Sequence, residues 1–284
     1  MDALKPDLLS GRTALITGGG TGLGLAMARR FAVLGADIVI CGRRQPVLEA
    51  AAAAISSEAP GRRVSHEVCD IRDPEAVTAM IDHIDEAGGI DILVNNAAAN
   101  FIAQTHLLSH RAADAVLGAT LHGALYCTLE AGRRWIEAGR QGAVLSILST
   151  STITGRAFTT PSAMAKAGVL AMTRSLAVEW GPRGIRLVAI APGPFPTPGS
   201  QAQLNPSGRR EGRTSPVPLG RVGEHAELAE LASFLVSDAG GFITGEMVVI
   251  DGGLHLRTSG ADDLLGWTDA RWAEHRASLR QPRT

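Results

Sequence analysis

The chain alternates short runs of apolar, often β-branched residues with longer stretches whose apolar positions recur at helical spacing. The short runs fall at 13–17, 37–41, 64–69, 90–95, 143–148, 185–190 and 247–250. The helical stretches, rich in alanine, cover 22–34, 46–57, 74–87, 110–138, 162–180 and 225–237. Strand, helix and strand repeated in this order specify a parallel sheet with helices on both faces. The strands are apolar throughout rather than alternating, as strands covered on both sides must be. The pattern predicts a doubly wound α/β fold with a parallel sheet of about seven strands. No linker or internal repeat interrupts it, so residues 1–284 are expected to form one domain. Two stretches break the periodicity. Residues 192–223, rich in Pro, Gly, Ser and Arg, are too long for an ordinary connection. Such a stretch is expected to be either a lid over a site or a disordered loop. A polar tail begins at about residue 254, with Trp267 and Trp272 as its expected anchors.

Composition narrows the class of function. A chain of 284 residues with 45% hydrophobic content can bury a sizeable core. A net charge of −1 and a pI near 6.7 leave no basic footprint for nucleic acid or a membrane surface. No apolar run reaches the length of a membrane span. The opening MDALKPDLLSG lacks the basic and apolar regions of a secretory signal. Cys41, Cys69 and Cys127 form no CxxC pair and are expected to be reduced, mostly buried thiols of a cytoplasmic protein. No metal site is expected. Of 27 basic residues only Lys5 and Lys166 are lysines. A genome rich in arginine codons would produce that bias. An interior lysine in such a chain equally marks a place that wants a compact ammonium rather than a guanidinium fork.

The strongest local signal is Thr17-Gly-Gly-Gly-Thr-Gly-Leu-Gly24, which follows the first strand and opens the first helix. That context is the one a dinucleotide-binding loop of the Rossmann type requires. Gly18 permits the tight turn, Gly22 lets the backbone approach a pyrophosphate, and Gly24 allows close helix packing. Thr21 and Leu23 complete a loop whose N–H groups meet the phosphates at the helix N-terminus. An acidic residue ending the second strand would favour NAD, but that place reads Cys41-Gly42-Arg43-Arg44, and Asp37 lies at the strand's other end. Two arginines suit a 2′-phosphate, so the expected cofactor is NADP(H). The alternative is that both are solvated turn residues. Asp70, ending the third strand beside Ile71, is placed to accept from an adenine amino group. Asn95-Asn96-Ala97 ends the fourth strand beside the same crevice.

These motifs, with Pro192-Gly193 and the closing Asp251-Gly252-Gly253, resemble the short-chain dehydrogenase/reductase superfamily over essentially the whole chain. The resemblance adds Pro192, Gly193 and Phe195 to the expected cofactor contacts. The superfamily's usual signature is Tyr-x-x-x-Lys, with a Ser about a dozen residues earlier. Here Lys166 stands in Ser162-Ala-Met-Ala-Lys166, so Ser162 holds the tyrosine place. The single tyrosine, Tyr126, lies in a helix and is expected to pack there. Ala97-Ala-Ala-Asn-Phe101, Pro161-Ser-Ala-Met-Ala-Lys-Ala-Gly168, Ala177-Val-Glu-Trp-Gly181 and Ser259-Gly-Ala-Asp-Asp-Leu resemble the 2,4-dienoyl-CoA reductases, which also lack Tyr-x-x-x-Lys. Carried over from the mitochondrial type, the thioester-holding Asn falls on Asn100, the nearby Ser on Ser162 and the Lys on Lys166. The tyrosine that those enzymes place earlier falls on Ser151. The acidic residue of the peroxisomal type falls on Thr120, so the chain matches neither type fully. His122, near Thr120 in the helix, is expected to pack or face solvent.

The resemblance implies NADPH-dependent reduction of a conjugated C=C of an enoyl or dienoyl thioester. Asn100, Ser151 and Ser162 would donate to the thioester oxygen as charge develops there, and Lys166 would hold the nicotinamide ribose. Reduction of a ketone needs a proton delivered fully to oxygen. A Ser hydroxyl is a far weaker acid than a phenol of pKa about 10, so losing the tyrosine penalises ketone reduction more than conjugate reduction. Each serine has helix capping as its alternative role, Asn100 a loop cap and Lys166 an exposed helix position. Phe101 is expected to line an acyl channel or the core. Arg72, Ser109 and the cluster Arg209-Arg210-Glu-Gly-Arg213 are expected substrate contacts, the arginines towards CoA phosphates; solvated loop charges are the alternative for that cluster. Leu219-Gly-Arg-Val-Gly223 would hinge the lid. Helices 110–138 and 162–180 would pair subunits into a homotetramer. Two other readings stand beside this one: a carbonyl or alcohol dehydrogenase with an unusual proton donor, and an NADP(H)-binding protein without turnover.

Overall fold

A computed structural model describes residues 4–199, 217–257, 264 and 266–278. The strands are β1 (Thr13–Thr17), β2 (Asp37–Gly42), β3 (Val64–Val68), β4 (Ile92–Asn95), β5 (Gly142–Ile147), β6 (Ile185–Pro192) and β7 (Met247–Ile250). The main helices are α1 (Gly22–Val33), α2 (Gln45–Glu58), α3 (Pro74–Glu86), α4 (His110–Leu117), α5 (Gly123–Glu137), the short α6 (Ser151–Thr154), α7 (Thr160–Trp180), α8 (His225–Val236) and α9 (Asp269–Ser278). All seven strands join one parallel sheet in the order β3-β2-β1-β4-β5-β6-β7. The chain therefore runs outward from β1 in one direction, returns, and runs outward in the other from β4. Ligands of doubly wound sheets bind at that reversal, outside the carboxyl ends of the strands.

The expected strands match within one or two residues, because their apolar runs are the sheet's interior. β4 and β5 are buried along their whole length. Two apolar layers form, one on each face. Phe31, Ile40, Ile55 and Leu228 belong to the first, built with α1, α2 and α8. Val77, Ile81, Trp135 and Trp180 belong to the second, built with α3, α5 and α7. Cys41, Cys69 and Cys127 are buried and free, as expected.

The stretch 110–138 differs from the expectation of one helix. α4 and α5 are joined by a π-helical turn over Gly118–His122. Close approach explains it. A Cβ on Gly123 would lie 2.5 Å from Ile71 Cδ1, so the helix presses on the end of β3 at a glycine. Inside the turn, buried Thr120 accepts a hydrogen bond from the Ala99 N–H at 3.1 Å. His122 faces solvent and Tyr126 is half-buried, with ring centroids 6.1 Å apart, in line with packing roles.

The expected lid is described at its two ends. β6 runs on through Pro192, and 217–223 returns beside it: the Gly223 N–H donates to Pro194 O, and the Leu219 N–H to Gly252 O. Residues 200–216, with Arg209, Arg210 and Arg213, lie outside the described residues, as do 258–263 of the tail motif. Trp267 and Trp272 pack on one another, with centroids 4.8 Å apart and the Arg271 guanidinium over Trp267.

Candidate active site

A cleft of about 580 Å³ opens along the carboxyl ends of β1, β2, β4 and β5. Its floor is the glycine turn. The Thr17 hydroxyl donates to Val94 O and accepts from the N–H groups of Asn96 and Ala97, each at 3.0 Å. The Asn96 amide donates to Thr17 O at 2.9 Å. β1 and β4 are thus locked together where the turn leaves the sheet. Gly18 has φ 66°, which favours glycine, and a Cβ there would sit 3.1 Å from Ala97 Cα. A Cβ on Gly24 would lie 2.5 Å from both Gly18 O and Asn96 Nδ2. Gly24 therefore packs beneath the cleft instead of lining it, the helix-packing role its place in the motif implies. Asn96 acts chiefly on the turn's shape.

The residues fit a dinucleotide. Helix α1 starts with no side-chain cap at Thr21 and no acid in its first turn, so its N-terminal dipole faces the cleft uncompensated by protein charge. Gly18, Thr21, Gly22 and Leu23 line this wall. Arg43, Arg44, Asp70, Ile71 and Arg72 line the end beyond β2 and β3. Asp70 is engaged by Arg72, whose Nε donates at 2.9 and 3.0 Å to the two carboxylate oxygens and whose Nη2 donates at 2.5 Å. That guanidinium holds the Asp70 carboxyl below the usual carboxylate range. Arg72, expected to meet substrate, is thus bound to the residue expected to meet adenine.

Asn100, Ser151, Ser162 and Lys166 all line the other end of the cleft, with Ala97, Pro192 and Gly193. They come from three elements: the loop after β4, α6 and the first two turns of α7. Ser151, Ser162 and Lys166 are buried. Lys166 Nζ donates to Ile147 O at 2.5 Å, and burial lowers its pKa to about 8. The Ser151 hydroxyl donates to Ser149 Oγ at 3.2 Å.

Three expected contacts lie elsewhere. Ser109 is the N-cap of α4 and accepts from the Ala112 N–H, so helix capping accounts for it. Phe195 is buried against Gly223, beside a second cavity of about 80 Å³, and its ring packs the returning segment. Phe101 is half-buried and is not among the cleft-lining residues. Ser149, Arg156 and Thr159 line the reacting end and were not anticipated. Ser149 stands about a dozen positions before Ser162, where the superfamily places its serine; that spacing is the signal that identifies it. Arg156 and Thr159 lie in a loop without periodicity, which carries no such signal.

Set beside known proteins, residues 18–255 match the family model described as enoyl-(acyl carrier protein) reductase. The chain belongs to the short-chain dehydrogenase/reductase family. Within that family it is 40% identical to the probable 2,4-dienoyl-CoA reductase of Bacillus subtilis, over 86% of this chain and 97% of that one. It is 38% identical to a probable 2,4-dienoyl-CoA reductase of Caenorhabditis elegans, over 98% of this chain and 92% of the relative. A solved structure of a putative 2-deoxy-D-gluconate 3-dehydrogenase from Agrobacterium tumefaciens with bound NADP superposes with a TM-score of 0.81 at 33% identity, covering 89% of this chain and all of that one.

Proposed function

We propose that this oxidoreductase uses NADP(H) to reduce a conjugated C=C of an enoyl- or dienoyl-CoA thioester. The observation that carries the reading is the set Asn100, Ser151, Ser162 and Lys166 around one end of the cleft, with no tyrosine among its lining residues. Amide and hydroxyl donors stabilise an enolate oxygen without having to surrender a proton to it. Each well-placed donor contributes about 3–4 kcal/mol at such a site. A lysine ammonium adds positive potential to the same charge and is placed to hold ribose hydroxyls.

Bound NADPH would supply the hydride to the far end of the conjugated system. Asn100 donates to the thioester oxygen through its amide, and Ser162 through its hydroxyl. Ser151 either donates directly or holds Ser149 in place to do so. The charge that spreads to the oxygen then returns as a proton is added at carbon from solvent. Arg43 and Arg44 take the 2′-phosphate, the basis for reading NADP(H) over NAD(H). The alanine-rich wall at 97–99 gives flat apolar space beside the nicotinamide. The reading extends to a homotetramer, as the resemblance implies, and to a cytoplasmic location, which three free buried thiols suit. The experiment is a comparison of NADPH consumption with a 2,4-dienoyl-CoA and a β-ketoacyl-CoA of equal length. Consumption with the dienoyl substrate supports the reading. Consumption with the ketone alone replaces it with carbonyl reduction, and tight NADPH binding with neither leaves a binding protein.

A further inference from the structure

The loop between α6 and α7 holds an aromatic residue in a conformation that suits glycine. Gly155 and Phe158 both have φ 65°, and Phe158 is the non-glycine residue with positive φ among the described residues. Glycine adopts that conformation freely, whereas a bulky residue is strained there. Burial does not offset the strain, because Phe158 is 55% exposed.

The backbone around Phe158 is fixed beside the reacting end of the cleft. Phe158 O accepts from the Ala103 N–H at 3.0 Å, three residues past Asn100. The hydroxyls of Thr105 and Thr160 share a hydrogen bond at 3.1 Å. The N–H and the hydroxyl of buried Thr159 donate to Arg156 O at 3.4 and 3.3 Å. Arg156 and Thr159, which bracket Phe158, line the cleft, as does Asn100. Ile102, next to Ala103 and two positions after Asn100, is a second apolar residue that core packing leaves part-exposed. Two apolar side chains therefore stand at the cleft's rim, on the two segments that adjoin the place proposed for the thioester. A strained residue at the edge of a site points to a role when the site is filled, since packing of the free protein gains nothing from it.

We infer that Phe158 is a specificity-determining residue whose ring packs on the acyl chain of the substrate where that chain leaves the cleft. Ile102 adds to the same apolar rim. The occupant is an acyl chain because the rim is continuous with the cleft at Thr159 and Asn100. This rests on the proposed placement of the thioester beside Asn100 and Ser162.

The test is calorimetric titration of the NADPH-loaded protein with S-butyl-CoA and S-octyl-CoA, thioethers with no C=C or carbonyl to reduce. Wild type, Phe158→Gly and Phe158→Leu are compared. Glycine suits the backbone at this position, so Phe158→Gly keeps the fold. In wild type the longer chain should lower Kd at least about tenfold. Phe158→Gly should shrink that gain to less than about threefold, with partial recovery in Phe158→Leu. Affinities for S-butyl-CoA and NADPH should move less than about twofold. The inference is overturned if wild type binds both thioethers equally, if Phe158→Gly keeps the full gain, or if S-butyl-CoA weakens as much as S-octyl-CoA. It is also overturned if the gain is lost together with a change of oligomeric state in light scattering, which would assign the ring to a subunit contact. The readout is equilibrium binding, so a failure to reduce dienoyl thioesters would count against the proposed reaction and leave this result standing. Binding of neither thioether by wild type would overturn both.

Discussion

Lys166 has a cost to stability that can be measured apart from its proposed role. It is buried with a neutral carbonyl as its partner, and desolvation brings its pKa to about 8 from 10.5. Between those values the unfolded chain holds a proton that the folded one has released, so this group makes stability rise with pH through that window. Below about pH 8 the cost of the buried ammonium is fully present, up to about 3 kcal/mol. Denaturant titrations across pH should show this rise in cofactor-free wild type and lose it in Lys166→Met. That variant should be the more stable below pH 8 and yet lose NADPH-dependent turnover by at least about 100-fold. Coincident stability profiles would refute the assignment. The lysine was legible in the sequence because it is rare and sits four residues after Ser162. Ser109 and Phe195 do not line the cleft, and a spacing argument cannot tell a side chain that faces it from one that caps a helix or packs a return segment.

At the level of elements, the π turn between α4 and α5 couples the second apolar layer to the Asn100 loop. Thr120 carries the coupling: its hydroxyl accepts from the Ala99 N–H and donates back to Ala99 O at 3.4 Å. Thr120→Val keeps the volume and leaves the Ala99 N–H unpaired, at a cost of about 1–3 kcal/mol. Thermal melts should fall by a few degrees, and kcat should fall more than NADPH affinity, because the loop carries Asn100. An unchanged kcat with a lowered melting temperature would make Thr120 purely structural. The strands and helices were legible because buried parallel strands are apolar throughout and the helices keep one apolar stripe. The π turn was not, since one extra residue in a turn barely shifts that stripe. The glycines bracketing it, Gly118 and Gly123, are its trace in the sequence.

The whole molecule brings residues far apart in sequence to the reversal between β1 and β4. The glycine turn, the arginines after β2 and β3, the Asn100 loop and Lys166 meet there because strand order, not sequence order, sets the neighbours. Assembly belongs to this scale too. Leu129 on α5 and Met164 and Val178 on α7 are 39%, 58% and 80% exposed in the isolated chain. Apolar residues on two long helices suit the subunit pairing proposed above. Light scattering should give a tetramer of the 29.6 kDa chain, and Val178→Glu a smaller species with unchanged circular dichroism. A monomeric wild type would contradict it. The central claim is conjugate reduction without a phenol, and the most direct measurement follows the transferred atom. Purified protein is incubated with NADPH carrying deuterium on the transferred face and with a 2,4-dienoyl-CoA, in parallel with a β-ketoacyl-CoA. Mass spectrometry should find one deuterium in an enoyl-CoA product, at the carbon farthest along the former diene. Deuterium appearing instead in a hydroxyacyl product, with the dienoyl-CoA untouched, would contradict the account.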